Sequence, residues 1–260
     1  MKIALAQIRV VDGAVKRNLK RIKTFVREAV EEQGSEAVMF PELALTGFSI
    51  PSENELKEAF EELSSLSEGT YIGVGSVFIK ENKAYNSYLV FGNGKIVYVR
   101  NKYMLFKPMK EDKTFEVGEL PEIFELGDLK ASVIICYELR FPELFAVNVS
   151  DAHLYLVPAS WPSSRSEQWV TLLRSRAIET WSYVLGINRW GEGSYGPFGG
   201  FSGLALPDGS WKGLGEGEGI LTVELDPERL EGWRSEFPAY QDRLKLIGTV
   251  PTFRPRYGTS

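Results

Sequence analysis

Residues 131–144 read Ala131-Ser-Val-Ile-Ile-Cys136-Tyr-Glu-Leu-Arg140-Phe-Pro-Glu143-Leu, and this segment carries the most structural information in the chain. A β-branched apolar run ends at Cys136, the only cysteine, and a short polar turn and a Pro-initiated helix follow. A buried strand that reverses into a helix presents the thiol at a sharp corner, where backbone N–H groups can face a reacting carbonyl. The local sequence is compatible with a nucleophilic cysteine and equally with a buried structural one, the usual state of a lone cysteine.

Composition excludes several classes of protein. The 260 residues are 43% hydrophobic and no linker divides them, so we expect a single domain over residues 1–260. A net charge of -5 argues against a nucleic-acid surface, which needs clustered Lys and Arg. One Cys and one His are too few soft ligands for a typical zinc site. Gly73 and Gly75 lie within a predicted strand, so they do not indicate dinucleotide binding, and we expect no metal and no cofactor.

The sequence also predicts a compartment. A single cysteine cannot form an intramolecular disulfide, which favours a reducing environment. Polar residues interrupt the N-terminus too early for a signal peptide, and no apolar run reaches the length of about 20 residues that a bilayer requires. We therefore expect a soluble cytoplasmic protein with no membrane partner.

Hydrophobic periodicity predicts alternating strands and helices. The order gives βαβ units and an antiparallel stretch, so we expect mixed sheets covered by helices. Strands are predicted over 3–7, 37–40, 71–80, 85–91, 95–100, 131–136, 153–158, 183–188, 204–206 and 220–225, and helices over 15–32, 54–66, 167–182 and 227–237, with a further short helix after Pro142.

Three reactive side chains each follow an apolar strand: Glu42, Lys102 and Cys136. The carboxyl ends of strands in open α/β sheets are where sites are built. Glu42 could take the thiol proton while Cys136 attacks a carbonyl, and Lys102 with a backbone N–H could hold the oxyanion. Most charges at strand ends are simply solvated, so Glu42 or Lys102 taken singly is a weak candidate.

Three blocks of the sequence together resemble the catalytic blocks of the nitrilase superfamily of carbon–nitrogen hydrolases. The similarity covers nearly the whole chain, in the expected order, through later segments up to Pro207-Asp208-Gly209. The three blocks are Phe40-Pro41-Glu42-Leu43-Ala-Leu-Thr46-Gly47-Phe48, Asn101-Lys102-Tyr-Met-Leu105-Phe and Cys136-Tyr-Glu-Leu-Arg140-Phe-Pro-Glu143-Leu.

This resemblance implies a four-layer αββα sandwich with mixed sheets and helices on the outer faces, paired into a homodimer or higher homo-oligomer. It implies a Glu42-Lys102-Cys136 triad, a thioester intermediate and a second glutamate at Glu111. Asp112 and Glu116 are weaker candidates for that second glutamate, and Lys107 is the rival to Lys102. The C-terminal arm, about 240–260, is expected to contribute to dimerisation.

The chain departs from the family pattern at three positions, which carry Met104, Glu138 and Phe201. None of them removes a member of the triad, but they weaken any transfer of substrate identity. The only histidine, His153, is expected in the core or at a sheet edge rather than beside the cysteine.

Arg140 is the clearest indication of the substrate. The block around it resembles the Nit-like ω-amidase branch, whose substrates carry a carboxylate besides the scissile amide, and a guanidinium can clamp a carboxylate in bidentate fashion. A salt bridge to Glu138 or Glu143 is the equal alternative. Tyr137, Trp161, Trp190 and Phe198 are expected to line the pocket, with Asn188 and Arg189 near its rim.

The expected function is hydrolysis of a small linear amide to a carboxylate and ammonia. A nitrilase, an N-carbamoyl hydrolase and a neutral-amide hydrolase remain open with the same triad. A catalytically silent interaction platform is the non-enzymatic alternative, which the intact triad disfavours, and a cysteine peptidase would need blocks that the sequence lacks.

Overall fold

The computed structural model describes residues 1–249, with side chains through residue 246. Strands and helices alternate through the first third of the chain and again over residues 129–188. The strands are β1 (Lys2–Gln7), β2 (Ala37–Met39), β3 (Tyr71–Lys80), β4 (Lys83–Gly92), β5 (Lys95–Asn101), β6 (Ile123–Leu126), β7 (Leu129–Val133), β8 (Leu154–Ala159), β9 (Tyr183–Asn188), β10 (Trp190–Gly191), β11 (Phe198–Gly199), β12 (Gly203–Ala205), β13 (Trp211–Gly213) and β14 (Gly219–Glu224). The α-helices are α1 (Val15–Arg27, continued by a π turn, Glu28–Glu32), α2 (Glu53–Leu66), α3 (Glu111–Thr114), α4 (Pro142–Ala146), α5 (Ser166–Thr180), α6 (Pro227–Glu236) and α7 (Ala239–Thr249).

Two six-stranded mixed sheets organise the described residues. The first has the order β14-β1-β2-β3-β4-β5 and the second the order β13-β12-β9-β8-β7-β6. Strands β1, β2 and β3 run parallel in the first sheet, β7, β8 and β9 run parallel in the second, and the outer strands are antiparallel. The prediction of mixed sheets is confirmed.

The two sheets face each other across one apolar core. Leu5 and Val90 of the first sheet belong to the same buried cluster as Val133 and Leu156 of the second. Helices α1 and α2 cover the outer face of the first sheet, and α4 and α5 cover the outer face of the second. The expected four-layer αββα sandwich is confirmed.

Helix α1 shows how the sequence places this outer layer. Its apolar residues recur at helical spacing, and Leu19, Ile22 and Val26 are buried against the sheet. The lysines and arginines between them, such as Lys16 and Lys20, are exposed. The basic residues of α1 therefore form a solvated helix face.

Four short strands were absent from the prediction: β6, β10, β11 and β13. Each has two to four residues, too few for an alternating pattern to be recognised. The predicted strand over 131–136 is shorter than expected and ends at Val133, although the Ile134 N–H still bonds to the Leu156 carbonyl (2.9 Å).

The expected C-terminal dimerisation arm is described only in part. The Tyr240 hydroxyl in α7 donates to the Ser150 carbonyl (3.1 Å), which ties the start of this helix to the second sheet's helical layer. Residues 250–260 lie outside the described part of the chain. Within residues 1–249, no helix combines the length and apolar character needed to cross a membrane.

Candidate active site

Glu42, Lys102 and Glu111 form a buried charge cluster. The Lys102 ammonium lies 2.7 Å from Glu42 Oε1 and 2.9 Å from Glu111 Oε2. The side chains are 1–3% exposed. Glu42 follows β2 and Lys102 follows β5, so the first sheet supplies both, while Glu111 opens α3. Lys107, Asp112 and Glu116, the weaker candidates, are all exposed.

Cys136 approaches the cluster from the second sheet. It begins a 3₁₀ turn, Cys136–Arg140, and its own φ is +50°, in the left-handed region. The half-buried thiol faces a cleft that Glu42, Lys102 and Glu111 also line. The structure thus brings all four predicted catalytic side chains together, with the thiol at the expected corner.

Left-handed backbone conformations concentrate at this site. Leu43, directly after Glu42, has φ +50°, and Lys110, directly before Glu111, has φ +56°. With Cys136 itself, three non-glycine residues at or beside catalytic candidates adopt a conformation that L-residues rarely take. Such strain persists only where the surrounding structure imposes it, as it commonly does at active sites.

The Glu42 carboxylate is held from both sheets. The Ser160 N–H, just after β8, donates to Oε2 (2.9 Å), and the Asn86 side chain in β4 donates to Oε1 (2.9 Å). Sequence reasoning missed both residues. Asn86 does leave a signal, because it is a polar residue within an otherwise buried strand.

Glu138 links the loop that follows Lys102 to the turn that begins at Cys136. The sequence did not reveal this role. It is 0% exposed and pairs with Arg100 at 3.1 Å. Its carboxylate also accepts from the N–H groups of Ile135 (2.7 Å), Tyr103 (2.7 Å) and Met104 (3.2 Å). These bonds fix the backbone just before Cys136 against the backbone just after Lys102.

Burial and the neighbouring charges set the ionisation of the cluster. Burial opposes the charge on Glu42, but Lys102 and the hydrogen bonds from Lys102 and Asn86 hold its pKa below the ordinary value. Burial also opposes the ammonium, yet Glu111 and Glu42 raise the pKa of Lys102. Burial and the Glu42 charge raise the pKa of the Cys136 thiol. Burial, with the Glu42 charge, raises the pKa of Glu111, although Lys102 opposes this. The resting site therefore holds a carboxylate at Glu42, an ammonium at Lys102 and a neutral thiol.

Arg140 lines the same cleft. Its guanidinium lies over the Trp161 ring, 4.7 Å from the centroid, and donates to Gln168 Oε1 (2.9 Å). The alternative salt bridge to Glu138 or Glu143 is absent from residues 1–249, since Glu138 pairs with Arg100 instead. Arg140 thus presents a cation with no acidic partner among the described residues.

Tyr137 and Trp161 line the cleft as expected, together with Phe106, Met109 and Arg165. The Tyr137 ring packs 4.8 Å from the Phe106 ring, between centroids. Phe106, Tyr137 and Trp161 form an aromatic wall beside the charge cluster.

Asn188 does not line the cleft, contrary to expectation. It is 1% exposed, and its Oδ1 accepts from the Trp161 N–H (2.7 Å) while its Nδ2 donates to the Trp161 carbonyl (3.2 Å) and the Gly200 carbonyl (2.8 Å). Both ends of its side chain bond to backbone groups, so it holds Trp161 in place from behind.

Trp190 and Phe198 also lie away from this cleft, contrary to expectation. They line a separate groove with Arg9, and the Arg9 guanidinium stacks on the Trp190 ring at 4.4 Å. Arg189 is fully buried rather than at a rim, and it donates to the Val10 carbonyl (2.7 Å).

His153 lies just before β8, at the opposite end of the strand from Ser160. Its Nδ1 accepts from the Lys130 N–H (3.2 Å), and it is partly buried before a central strand rather than in the core or at a sheet edge. Within residues 1–249, no three His, Cys, Asp or Glu side chains are grouped so that they could hold a metal ion.

Comparisons with known proteins identify the family of this chain. The family model for carbon-nitrogen hydrolase covers residues 2–235. The 2-oxoglutaramate amidase of Bacillus subtilis (strain 168) is 29% identical over 256 residues, 94% of this chain and 97% of that protein. The omega-amidase YafV of Escherichia coli (strain K12) is 28% identical over 238 residues, 85% of this chain and 89% of that protein.

Solved structures share the fold. XC1258 from Xanthomonas campestris, a CN-hydrolase superfamily protein with an arsenic adduct in its active site, superposes with a TM-score of 0.82 at 24% identity, covering 93% of this chain and 96% of that one. The NitN amidase from Nesterenkonia sp. AN1 superposes with a TM-score of 0.81 at 25% identity, covering 91% and 97%. This chain is therefore a member of the carbon–nitrogen hydrolase family, an enzyme that hydrolyses an amide carbon–nitrogen bond.

Proposed function

We propose that this enzyme hydrolyses the ω-amide of a small carboxylic acid to a dicarboxylate and ammonia through a thioester on Cys136. The observation that carries the proposal is the placement of three features around one cleft: a thiol, a buried carboxylate–ammonium pair, and an arginine with no acidic partner within residues 1–249. The names of two relatives, a 2-oxoglutaramate amidase and an omega-amidase, agree with it.

Acylation begins with proton transfer from the thiol to Glu42. Cys136 attacks the amide carbon, and the carbonyl electron pair moves onto oxygen. Lys102, held cationic between Glu42 and Glu111, stabilises the developing oxyanion with the N–H of Tyr137. Glu42 then gives its proton to the leaving nitrogen, ammonia departs, and a thioester remains.

Deacylation uses the same groups in reverse order. Glu42, again a carboxylate, takes a proton from water, and the hydroxide attacks the thioester carbon. The second oxyanion forms at the same place and collapses, the C–S bond breaks, the sulfur takes the proton back from Glu42, and the carboxylic acid is released. Glu111 keeps the Lys102 ammonium oriented through both steps, since its two oxygens lie 3.0 Å and 2.9 Å from Nζ.

Arg140 supports the preference for a substrate that carries a carboxylate. Its guanidinium is oriented by Trp161 and Gln168, and neither partner neutralises its charge. A carboxylate that reaches it gains a bidentate, charge-assisted pair. A nitrile or a neutral amide would leave that cation unpaired, so both are disfavoured as substrates.

We also propose that the enzyme is a cytoplasmic homodimer. A reducing compartment keeps the nucleophile as a thiol. Exposed apolar side chains on α5 and directly after α6, namely Ile178 (47%) and Phe237 (51%), offer a surface for a second copy. Light scattering on the purified protein, with Ile178→Glu as the comparison, measures the oligomeric state.

Ammonia release from a substrate panel tests the proposed function. The panel contains ω-amides of dicarboxylic acids, a neutral amide, an N-carbamoyl amine and an aliphatic nitrile, each with Cys136→Ala as the control. Release confined to the carboxylate-bearing amides, and absent from the control, is the expected result. Preferential release from the nitrile, the carbamoyl compound or the neutral amide would contradict the substrate assignment.

A further inference from the structure

Asn86 contacts every charged member of the catalytic cluster. Its side-chain amide lies 2.9 Å from Glu42 Oε1 and 3.4 Å from Glu111 Oε1. Its backbone carbonyl accepts from the Lys102 N–H (2.8 Å). It is fully buried in β4 and lies behind the cleft rather than in its lining. Its nitrogen must face the carboxylates, because an ionised carboxylate only accepts hydrogen bonds.

Other buried asparagines in the described chain bond differently. Asn18 and Asn188 use both ends of the side chain on backbone groups, and Asn148 donates to the Pro121 carbonyl and the Ser132 hydroxyl. Asn86 Oδ1, in contrast, is buried with no hydrogen-bond partner among the described residues. The hydrogen bonds of this side chain are therefore made to the carboxylates rather than to the surrounding backbone.

The two oxygens of Glu42 accept different numbers of hydrogen bonds. Oε1 accepts from both Lys102 (2.7 Å) and Asn86 (2.9 Å), whereas Oε2 accepts from the Ser160 N–H (2.9 Å). Two donors fill the lone pairs of Oε1, and Oε2 keeps one for a proton. The occupied oxygen is thus poorly placed to act as a base.

We propose that Asn86 is a positioning residue that directs the Cys136 proton to Oε2 of Glu42 by occupying Oε1. The inference rests on the proposed function, in which Glu42 is the base. As the S–H bond breaks, its proton forms a bond to Oε2, the sulfur pair bonds to the amide carbon, and the carbonyl pair moves to oxygen. Without Asn86, Oε1 has a free lone pair and the proton can reside on either oxygen.

Loss of the hydrogen bond from Asn86 is expected to raise the pKa of Glu42. The groups that face Glu42 are Lys102, Glu111 and Cys136, with the buried Arg189 cation acting at longer range. The hydrogen bond from Asn86 helps to keep the pKa of Glu42 low, so its removal favours the protonated, inactive base. The acid limb of the activity profile then moves to higher pH.

The test compares Asn86→Leu, which keeps the side-chain shape without the donor, with Asn148→Leu, the same change at a buried asparagine outside the cleft. The pH dependence is measured for kcat/KM on an ω-amide and for alkylation of Cys136 by iodoacetamide, beside the thermal midpoint of each variant. For Asn86→Leu we expect kcat to fall about tenfold to a hundredfold with KM nearly unchanged. The acid limbs of the kcat/KM profile and of the alkylation profile should both move to higher pH by about one unit. The acid limbs of Asn148→Leu should stay in place, even if its thermal midpoint falls.

An Asn86→Leu protein with unshifted acid limbs, or with kcat unchanged, would overturn the proposal. So would an equal shift in Asn148→Leu, because a general loss of stability would then explain both. Should Asn86→Leu fail to fold, Asn86→Ser, which keeps a shorter donor, should give an intermediate shift, and an unshifted limb there would also overturn it. The alkylation profile needs no substrate, so it separates failure of this inference from failure of the ω-amide assignment.

Discussion

Gly75 and Leu43 lie so close that no side chain fits between them. A Cβ on Gly75 would stand 2.2 Å from the Leu43 nitrogen, 2.4 Å from the Pro41 carbonyl oxygen and 2.6 Å from the Glu42 Cα. The loop that carries the proposed base therefore packs its backbone directly on β3. Hydrogen bonds from the Leu45 N–H to the Gly75 carbonyl (3.0 Å) and from the Gly75 N–H to the Pro41 carbonyl (3.1 Å) fix this contact.

Gly75→Ala is expected to displace Glu42 and reduce kcat/KM by about a hundredfold, because a misplacement of about 1 Å has that effect on positioned groups. Gly232→Ala, in α6 with nothing within 4 Å of its added Cβ, is the matched control. It should retain full activity and gain slight stability from helix propensity. Steady-state kinetics beside thermal unfolding measure both variants, and full activity in Gly75→Ala would refute the close packing.

The sequence shows the reactive groups more readily than their supports. Glu42, Lys102 and Cys136 could be predicted because a reactive residue after an apolar strand stands out. Gly75 could be seen only as half of a Gly-x-Gly pair, since the loop that packs on it is distant in sequence. The packing of the strand against that loop, rather than a local pattern, explains the glycine.

The Arg100–Glu138 pair is expected to stabilise both the fold and the site. Arg100→Met removes the cation from a pair with side chains 3% and 0% exposed, and breaking a buried pair costs about 3–5 kcal/mol. Because Glu138 joins the Lys102 loop to the Cys136 turn, kcat should also fall, by about tenfold. Denaturant unfolding and kinetics measure the two effects.

The double variant Arg100→Met with Glu138→Gln is the control for this pair. It should recover part of the lost stability, since no unpaired buried charge remains. An Arg100→Met protein as stable as the parent would show that the pair contributes nothing.

Glu111 is expected to lower stability at neutral pH. Its folded-state pKa is raised above 4.5, mainly by burial, so its contribution is favourable below that pH and is lost as the pH rises through the raised pKa. The free energy of unfolding of Glu111→Gln, relative to the parent, should therefore increase as the pH rises from acid to neutral. Activity should fall about a hundredfold because Lys102 loses an anionic partner.

Thermal unfolding at several pH values separates these effects. This relative change should vanish at acid pH, below the ordinary carboxyl pKa, because Glu111 is then protonated in both the folded and the unfolded chain. Glu36→Gln, at an exposed carboxyl, should show no such trend. A Glu111→Gln protein whose stability relative to the parent does not improve from acid to neutral pH would contradict the assigned direction.

Gln168 is expected to tune substrate choice. Gln168→Glu supplies Arg140 with the acidic partner that it lacks, so the substrate carboxylate must compete for the guanidinium. KM for a carboxylate-bearing amide should rise about tenfold, while turnover of a neutral amide should be unaffected. Gln168→Met, which adds no charge, should raise KM less, and an equal rise for both substrates in Gln168→Glu would argue against a carboxylate clamp at Arg140.

The errors of the sequence prediction have one physical origin. Asn188 ends β9 beside the carboxyl end of β8, so a place at the pocket was a reasonable expectation, but hydrogen bonds to Trp161 turn it away from the cleft. The strands β6 and β13 have four and three residues, and their pairing with neighbours rather than their sequence defines them. In each case a contact with another part of the fold, rather than the local sequence, determines the position of the residue or the presence of the strand.

The mass of the protein quenched during turnover tests the central claim most directly. The enzyme is mixed with an ω-amide, stopped in acid within the first turnovers and analysed intact and after digestion, with Cys136→Ala treated in parallel. We predict an added mass equal to the substrate minus ammonia, located on the peptide that contains Cys136 and absent from the variant. Ammonia release without that adduct, or with an adduct on another residue, would contradict a thioester mechanism at Cys136.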